Sequence, residues 1–357
     1  MKLAYHLHWL LLAVLLFAGC GGNDPNKPIR LTYSIFFPST HVHSVLAKQW
    51  ADELEARTNG RVHVDIFYGS TLTAAGKNFD GVVFGLSDLG MSCFAYSGGV
   101  FPLSEGLDLP LGYPDGRTAT IIANEYLEKF HPQELEEAHM LYIHAHGPGV
   151  VASTAPVRSI DDIHKLKAVR GTGITARVVK SLGGNAVGLP QGDTYEALRK
   201  GVVQGTLCPI ETLKGWKQGE AIEHVVKVPS IGYTTAMYVV MNKKRWESLP
   251  KDIQDIINQL NREWIPKHGA AWDRADKDGY RFIKELGKEY TQISPEEDQK
   301  AAKLLQPMLE KWADQAEKRG VPGHELIQFI QERIHALADD KFVPPYPFDL
   351  EQDNKGN

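Results

Sequence analysis

Between Arg30 and Ser92 the chain alternates strand, helix, strand, helix, strand, and this order limits the possible folds more than any other feature. Arg30-Leu31-Thr32-Tyr33-Ser34-Ile35-Phe36 alternates in polarity and is rich in β-branched and aromatic residues, as a strand requires. Pro38 ends it, and Ser44 to Arg57 sets Val45, Leu46, Trp50 and Leu54 at helical spacing. Asn59-Gly60 marks a turn before a second strand, Val62 to Phe67. Phe79 to Leu86 reads as helix and Asp88 to Ser92 as a third strand. This grammar predicts an α/β fold with a parallel sheet and right-handed crossovers.

A second unit begins near His146. Val150-Val151-Ala152 and Ala168-Val169-Arg170 read as strands, Thr175 to Leu182 as helix, and Ala186 to Leu189 as strand. Thr194 to Lys200 is a helix stopped by Gly201, and Tyr238 to Asn242 is a strong strand. From Lys251 the character turns helical: Ile253, Ile256, Ile257, Leu260 and Trp264 form one apolar stripe. Pro266 within that pattern predicts a kink or a break. Two further helices are expected around Leu304 to Ala316 and His324 to Leu337. The 357 residues suit two domains, and 43% hydrophobic with 23% charged residues excludes wholesale disorder. A net charge of −5 argues against nucleic acid as a partner.

The first residues carry an address. Lys2 and then the apolar run Trp9 to Ala18, too short to span a bilayer, make a secretory signal peptide over residues 1–19. Ala18-Gly19-Cys20 resembles the bacterial lipobox, so Cys20 is expected to carry lipid. Phe17 departs from that pattern and leaves ordinary cleavage as the alternative. Residues 20–28 read as a tether and 346–357 as a disordered tail. The other cysteines, Cys93 and Cys208, read as buried free thiols, with a disulfide between them as the alternative.

Three motifs bear on chemistry. Gly171-Thr172-Gly173-Ile174-Thr175-Ala176 matches a dinucleotide pattern, but the acidic partner is missing: Asp193 reads as the cap of the following helix. What remains is a glycine turn at a helix start, favourable to an anion, with Arg170 beside it to hold a carboxylate. His41-x-His43 and His144-x-His146 would each place two imidazoles on one face of an extended segment. No third and fourth ligand accompanies them, so they read as structural or cleft histidines and no metal is expected. No nucleophile elbow is present.

Taken in order, several segments resemble the solute-binding proteins of TRAP (tripartite ATP-independent periplasmic) transporters, of the DctP type. They are Glu55 to Val62, Gly81 to Gly90, Lys167 to Arg170, Asp193 to Leu198, Gly201 to Gly205, and Met241 to Trp246 followed by Leu249-Pro250. The resemblance runs from about Leu31 to Leu337. It implies a two-domain periplasmic binding protein of the Venus-flytrap type, with a long hinge-spanning helix and C-terminal helices. Residues 29–147 with 235–275 would form the first domain, and 148–234 with 276–345 the second.

The resemblance also implies roles. Arg170 matches the arginine that pairs with the ligand carboxylate, Cys208 falls where many members carry a ligand-contacting asparagine, and Gln191 falls at a pocket position that is often aromatic. Gly147 to Gly149 aligns near a second binding arginine of sialic-acid binders and is glycine here. Phe94, Tyr96, Trp216 and Tyr233 would favour an apolar or aromatic remainder on the ligand. Glu211, His41 and His146 complete the candidate ligand-binding set. The expected function is capture of a small organic acid, a monocarboxylate with an aromatic or apolar group, for delivery to the TRAP permease subunits. No cofactor and no catalytic residue is expected. The location is the periplasm, with membrane contact only through lipid on Cys20. A periplasmic enzyme acting on a small carboxylate and a ligand-sensing protein are the alternatives.

Overall fold

The computed structural model describes residues 28–338; the expected signal peptide, Cys20, the tether up to Lys27 and the tail lie outside the described residues. β1 (Ile29–Ile35) pairs in parallel with both β2 (Val62–Phe67) and β3 (Leu89–Cys93), as the alternating order predicts. Helix Val42–Arg57 connects the first two strands and buries Leu46, Trp50 and Leu54 of the set that the helical spacing marks out, while Val45 is exposed. β4 (Ala138–Ala145) closes the same sheet at its far edge, beyond helix Gly116–Phe130.

The chain then crosses to a second sheet. It contains β5 (Gly149–Ser153), β6 (Val169–Arg170), β7 (Ala186–Val187), β8 (Gly205–Pro209) and β9 (His224–Lys227), in the order β9-β5-β8-β6-β7. β10 (Ala236–Asn242) returns to the first sheet and inserts antiparallel between β3 and β4, so that sheet is mixed rather than all parallel. Buried on both faces, β10 reads as a nearly continuous apolar run, Ala236-Met237-Tyr238-Val239-Val240-Met241.

Helix Lys251–Glu285 ties the two units together over 35 residues. Of the kink or break expected at Pro266, the break does not occur: Pro266 lies inside the continuous helix. The cost of the missing N–H, about 3 kcal/mol or more in a helix interior, is offset by packing around it, because Trp264, Ile265, Ala271 and Trp272 are all buried. Trp264 Nε1 donates to Leu46 O at 2.8 Å, and Trp50 Nε1 donates to Asn261 Oδ1 at 3.2 Å, pinning this helix to Val42–Arg57. Near its other end, Gly279 lies against the second unit, where a Cβ would come 2.3 Å from Ile210 O.

β11 (Glu289–Gln292) then adds to β9 at the edge of the second sheet. Helix Pro295–Glu317 follows, and helix Gly323–Ala338 packs both on it and on Gly116–Phe130 of the first unit. Arg333 makes a two-pronged contact with Glu125 there, at 2.7 and 2.8 Å. No helix among the described residues is long and apolar enough to cross a membrane.

Candidate functional site

Strand ends bring the site together. β1 runs into Phe36 and Phe37, β3 runs through Cys93 toward Tyr96, β6 ends at Arg170, and β8 ends at Pro209 just before Glu211 and Thr212. In open α/β sheets the crevice outside such strand ends is where ligands sit. Here the ends of both sheets face one cavity. The first unit contributes Phe36, Phe37, Cys93, Tyr96, Thr235 and Met237, and the second Arg170, Thr172, Gln191, Glu211, Trp216 and Tyr233. His146 lines the cavity from the crossing segment, and Trp272 from the long helix.

Arg170 is 6% exposed. Its Nε donates to Leu189 O at 2.9 Å and its Nη1 to Leu207 O at 3.4 Å. A guanidinium has five N–H groups, so three remain, including both on Nη2. Among the described residues no carboxylate lies within ion-pair distance of it. A buried cation without a counter-charge is costly, and the cavity it lines is where that charge must enter. Gln191 brings a second donor: its side-chain Nε2 is buried and has no protein partner.

Hydrogen bonds cross the cleft. The Gln191 backbone N–H donates to Tyr96 Oη at 3.1 Å, and His41 Nε2 lies 3.2 Å from Glu211 Oε2. His41 Nδ1 accepts from the N–H of His43 at 3.3 Å, so it is Nε2–H that donates to Glu211. His41 caps helix Val42–Arg57, so the expected extended His41-x-His43 segment is instead the start of a helix. The aromatic walls are themselves packed. Trp216 stacks on Phe36 with centroids 6.1 Å apart and an interplanar angle of 20°. Tyr233 stands edge-on to His146 at 5.5 Å. Burial pushes His146 down to about 4, and its Nδ1 is bonded to Gly147 O.

Of the sequence-selected residues, Arg170, Gln191, Glu211, Tyr96, Trp216, Tyr233 and His146 line the cavity. Three others do not. Phe94 turns into the core against Phe101 and Tyr238, at 5.0 and 5.2 Å, while its neighbours Cys93 and Tyr96 face the cavity. Cys208 lies opposite Val150 in β8 and is buried in a cluster with Ala152, Val225 and Ile283; burial pushes its thiol up to about 12. His41 stands behind Glu211 rather than in the wall. Both Cys93 and Cys208 are free and buried, so no disulfide joins them. Asp193 lies within the first turn of helix Gln191–Arg199, whose cap is Pro190, so it is not the cap expected from sequence.

Of the second histidine pair, His146 lines the cavity and His144 is buried in β4 beside two further histidines. His43, His144 and His268 bring their ring nitrogens within 4.8 Å of one another, fully buried. The grouping does not fit a metal. His144 Nδ1 accepts from Trp272 Nε1 at 3.0 Å, which leaves the proton on Nε2. His43 and His268 share a hydrogen bond between their Nδ1 atoms at 2.7 Å. The three rings stack at 4.3–4.9 Å rather than converging on a centre. His268 was not among the sequence candidates, because a histidine inside an amphipathic helix gives no signal of its own.

The model of the bacterial extracellular solute-binding protein family 7, DctP, matches residues 34–315. A TRAP periplasmic solute binding protein from Desulfovibrio salexigens is similar at 31% identity and a TM-score of 0.77, covering 90% of this chain and 99% of that one. A second, from Bordetella bronchiseptica and described with bound (R)- and (S)-mandelate, is 28% identical with a TM-score of 0.80, covering 87% and 100%. The C4-dicarboxylate-binding periplasmic protein DctP of Rhodobacter capsulatus is 23% identical over 81% of this chain and 87% of its own length.

Proposed function

Because the chain belongs to the bacterial extracellular solute-binding protein family 7, the family of TRAP solute-binding proteins, we propose that it captures a small aromatic or apolar monocarboxylate in this cleft and hands it to the membrane permease. The family is one of transport binding proteins rather than enzymes. The observation that carries the ligand class is Arg170, a buried guanidinium with free N–H groups and no protein carboxylate. A ligand carboxylate completes it with charge-assisted hydrogen bonds, each contributing roughly 1.5–3 kcal/mol.

The rest of the wall favours one carboxylate over two. The other charge-bearing side chain of the second unit in the cavity, Glu211, would repel a second anion. Phe36, Phe37, Tyr96, Trp216, Tyr233 and Trp272 instead offer flat apolar surface, and stacking against such rings adds about 0.5–1.5 kcal/mol beyond area burial. The Bordetella relative described with mandelate agrees with this reading more closely than the dicarboxylate-binding one does. Cys20, in our reading, anchors the mature chain by lipid, a reading supported by the Ala18-Gly19-Cys20 sequence; Cys20→Ser should release the protein from the membrane fraction.

A thermal-shift screen against succinate, malate, phenylpyruvate and indole-3-acetate tests the ligand class. A ligand binding only the native state adds about 2.7 kcal/mol at 100 times its dissociation constant. The aromatic acids should raise the melting temperature and succinate should not. A shift from succinate alone would overturn the ligand class while leaving the carrier function intact.

A further inference from the structure

Glu211 is a buried carboxylate that the protein leaves short of donors. Its side chain is 4% exposed and lines the cavity. Oε2 accepts one hydrogen bond, from His41 Nε2. Oε1 lies 3.4 Å from Thr212 Oγ1, but a hydroxyl has one proton, and that of Thr212 is committed to Pro209 O at 2.6 Å. The surrounding charges do not compensate. The His41 ring accepts from the His43 N–H through Nδ1 and offers Glu211 a single hydrogen bond from Nε2. From the long helix the facing group is Asp276, another acid, which accepts from the Glu211 backbone N–H at 3.1 Å. Arg170 lines the same cavity but makes no ion pair with Glu211.

A buried carboxylate needs several donors, and an acceptor left unfilled is costly, more so when it is charged. The cavity therefore presents a donor set at Arg170 and an acceptor at Glu211, opposite in sign. Building on the carboxylate reading above, we infer that Glu211 selects ligands that carry a hydrogen-bond donor, a hydroxyl or an ammonium group, in addition to the carboxylate held by Arg170. A bare aromatic acid fills the apolar walls and leaves Glu211 desolvated without a partner. Sites built to hydrogen-bond a substrate group reject the analogue lacking it far more strongly than apolar pockets reject a methylene.

Three probes of nearly equal shape separate the possibilities by calorimetric titration: mandelate with a hydroxyl, 2-phenylglycine with an ammonium, and phenylacetate with neither. Phenylacetate should bind the wild-type protein at least ~10-fold more weakly than the better of the other two, which also identifies the donor. Glu211→Met, which removes the acceptor, should bring phenylacetate to within about threefold of that ligand. Glu211→Gln keeps an acceptor toward His41 and loses the charge. It should cost about tenfold for 2-phenylglycine if ammonium is the preferred donor, and less for mandelate if hydroxyl is. It also serves as the working variant should Glu211→Met fail to fold. Equal binding of all three probes by the wild type overturns the inference and leaves the carboxylate reading standing. A preference that persists unchanged in the Glu211 variants overturns it as well. Failure of all three to bind overturns both.

Discussion

A Cβ placed on Gly149 would lie 1.9 Å from Cε1 of Tyr233, so the tyrosine ring occupies the space that any side chain at 149 would need. The two residues are also joined through the backbone, with the Gly149 N–H donating to Tyr233 O at 3.2 Å. The glycine thereby lets β5 start directly under an aromatic wall of the cavity. Gly149→Ala forces the ring to move. Overpacking of this kind typically costs about 1–3 kcal/mol. Urea denaturation should show that loss, and titration with mandelate should show weaker binding. A variant equal to wild type in both would mean that the Tyr233 ring moves freely and does not shape the cavity.

Two groups, one buried and one half-buried, give opposite pH signatures. Burial holds His268 at about 3, against 6.5 for the ordinary imidazole. Below pH 6.5 the unfolded chain takes up a proton that the native state refuses, so stability present above 6.5 is lost progressively toward pH 3. Burial raises Asp273 from 3.8 to about 6. There the native state binds the proton first, and the stability present below pH 3.8 falls as pH rises to about 6. His268→Gln should therefore flatten the loss of stability on acidification below pH 6.5. Asp273→Asn should steepen it between about pH 6 and 4, since the gain on protonation is removed. Each difference is on the order of a few kcal/mol across its window. Urea midpoints at pH 7.5, 6, 5 and 4 measure both, and variants parallel to wild type would contradict the assignment.

Closure of the cleft is the expected functional motion. Across the cavity the two units meet through contacts such as Gln191 to Tyr96, His41 to Glu211 and the Trp216–Phe36 stack, while the 35-residue helix and the crossing strands hold them from behind. Without ligand, the desolvated Arg170 and Glu211 favour opening to water, and a bound acid should shift the population toward the closed form. Small-angle scattering should report a smaller radius of gyration at saturating mandelate than in its absence. An unchanged radius would count against a closing hinge.

Much of this fold is written in local pattern. The β1 to β3 order, helix Val42–Arg57 and the apolar stripe from Ile253 to Trp264 all follow from period and punctuation, because each element buries one face. The antiparallel insertion of β10 is different. Its continuous apolar run says that it is buried on both sides and says nothing of which strands flank it; the family resemblance, not the periodicity, returns it to the first sheet.

The site shows the same division. Arg170 is legible because a strand ends there before a glycine turn. Phe94 belongs to the core because the chain turns into a 3-10 helix at Phe94–Tyr96, where Cys93 and Tyr96, three apart, share the cavity face and Phe94 does not; Cys208 is buried within the second unit's core. Phe36, Phe37 and Trp272 line the cavity but are less legible, since an aromatic in an apolar run reads as core. Only the strand-end position of Phe36 and Phe37 held a signal of their role.

The central claim is that Arg170 anchors the carboxylate of the ligand. Arg170→Lys keeps the charge and loses the planar fork that a carboxylate prefers. Calorimetric titration of wild type and Arg170→Lys with mandelate, side by side with succinate, reads the claim directly. Wild type should bind mandelate at one site and succinate weakly or not at all, and Arg170→Lys should bind mandelate at least ~10-fold more weakly while remaining folded. Mandelate affinity unchanged by the substitution would contradict the account.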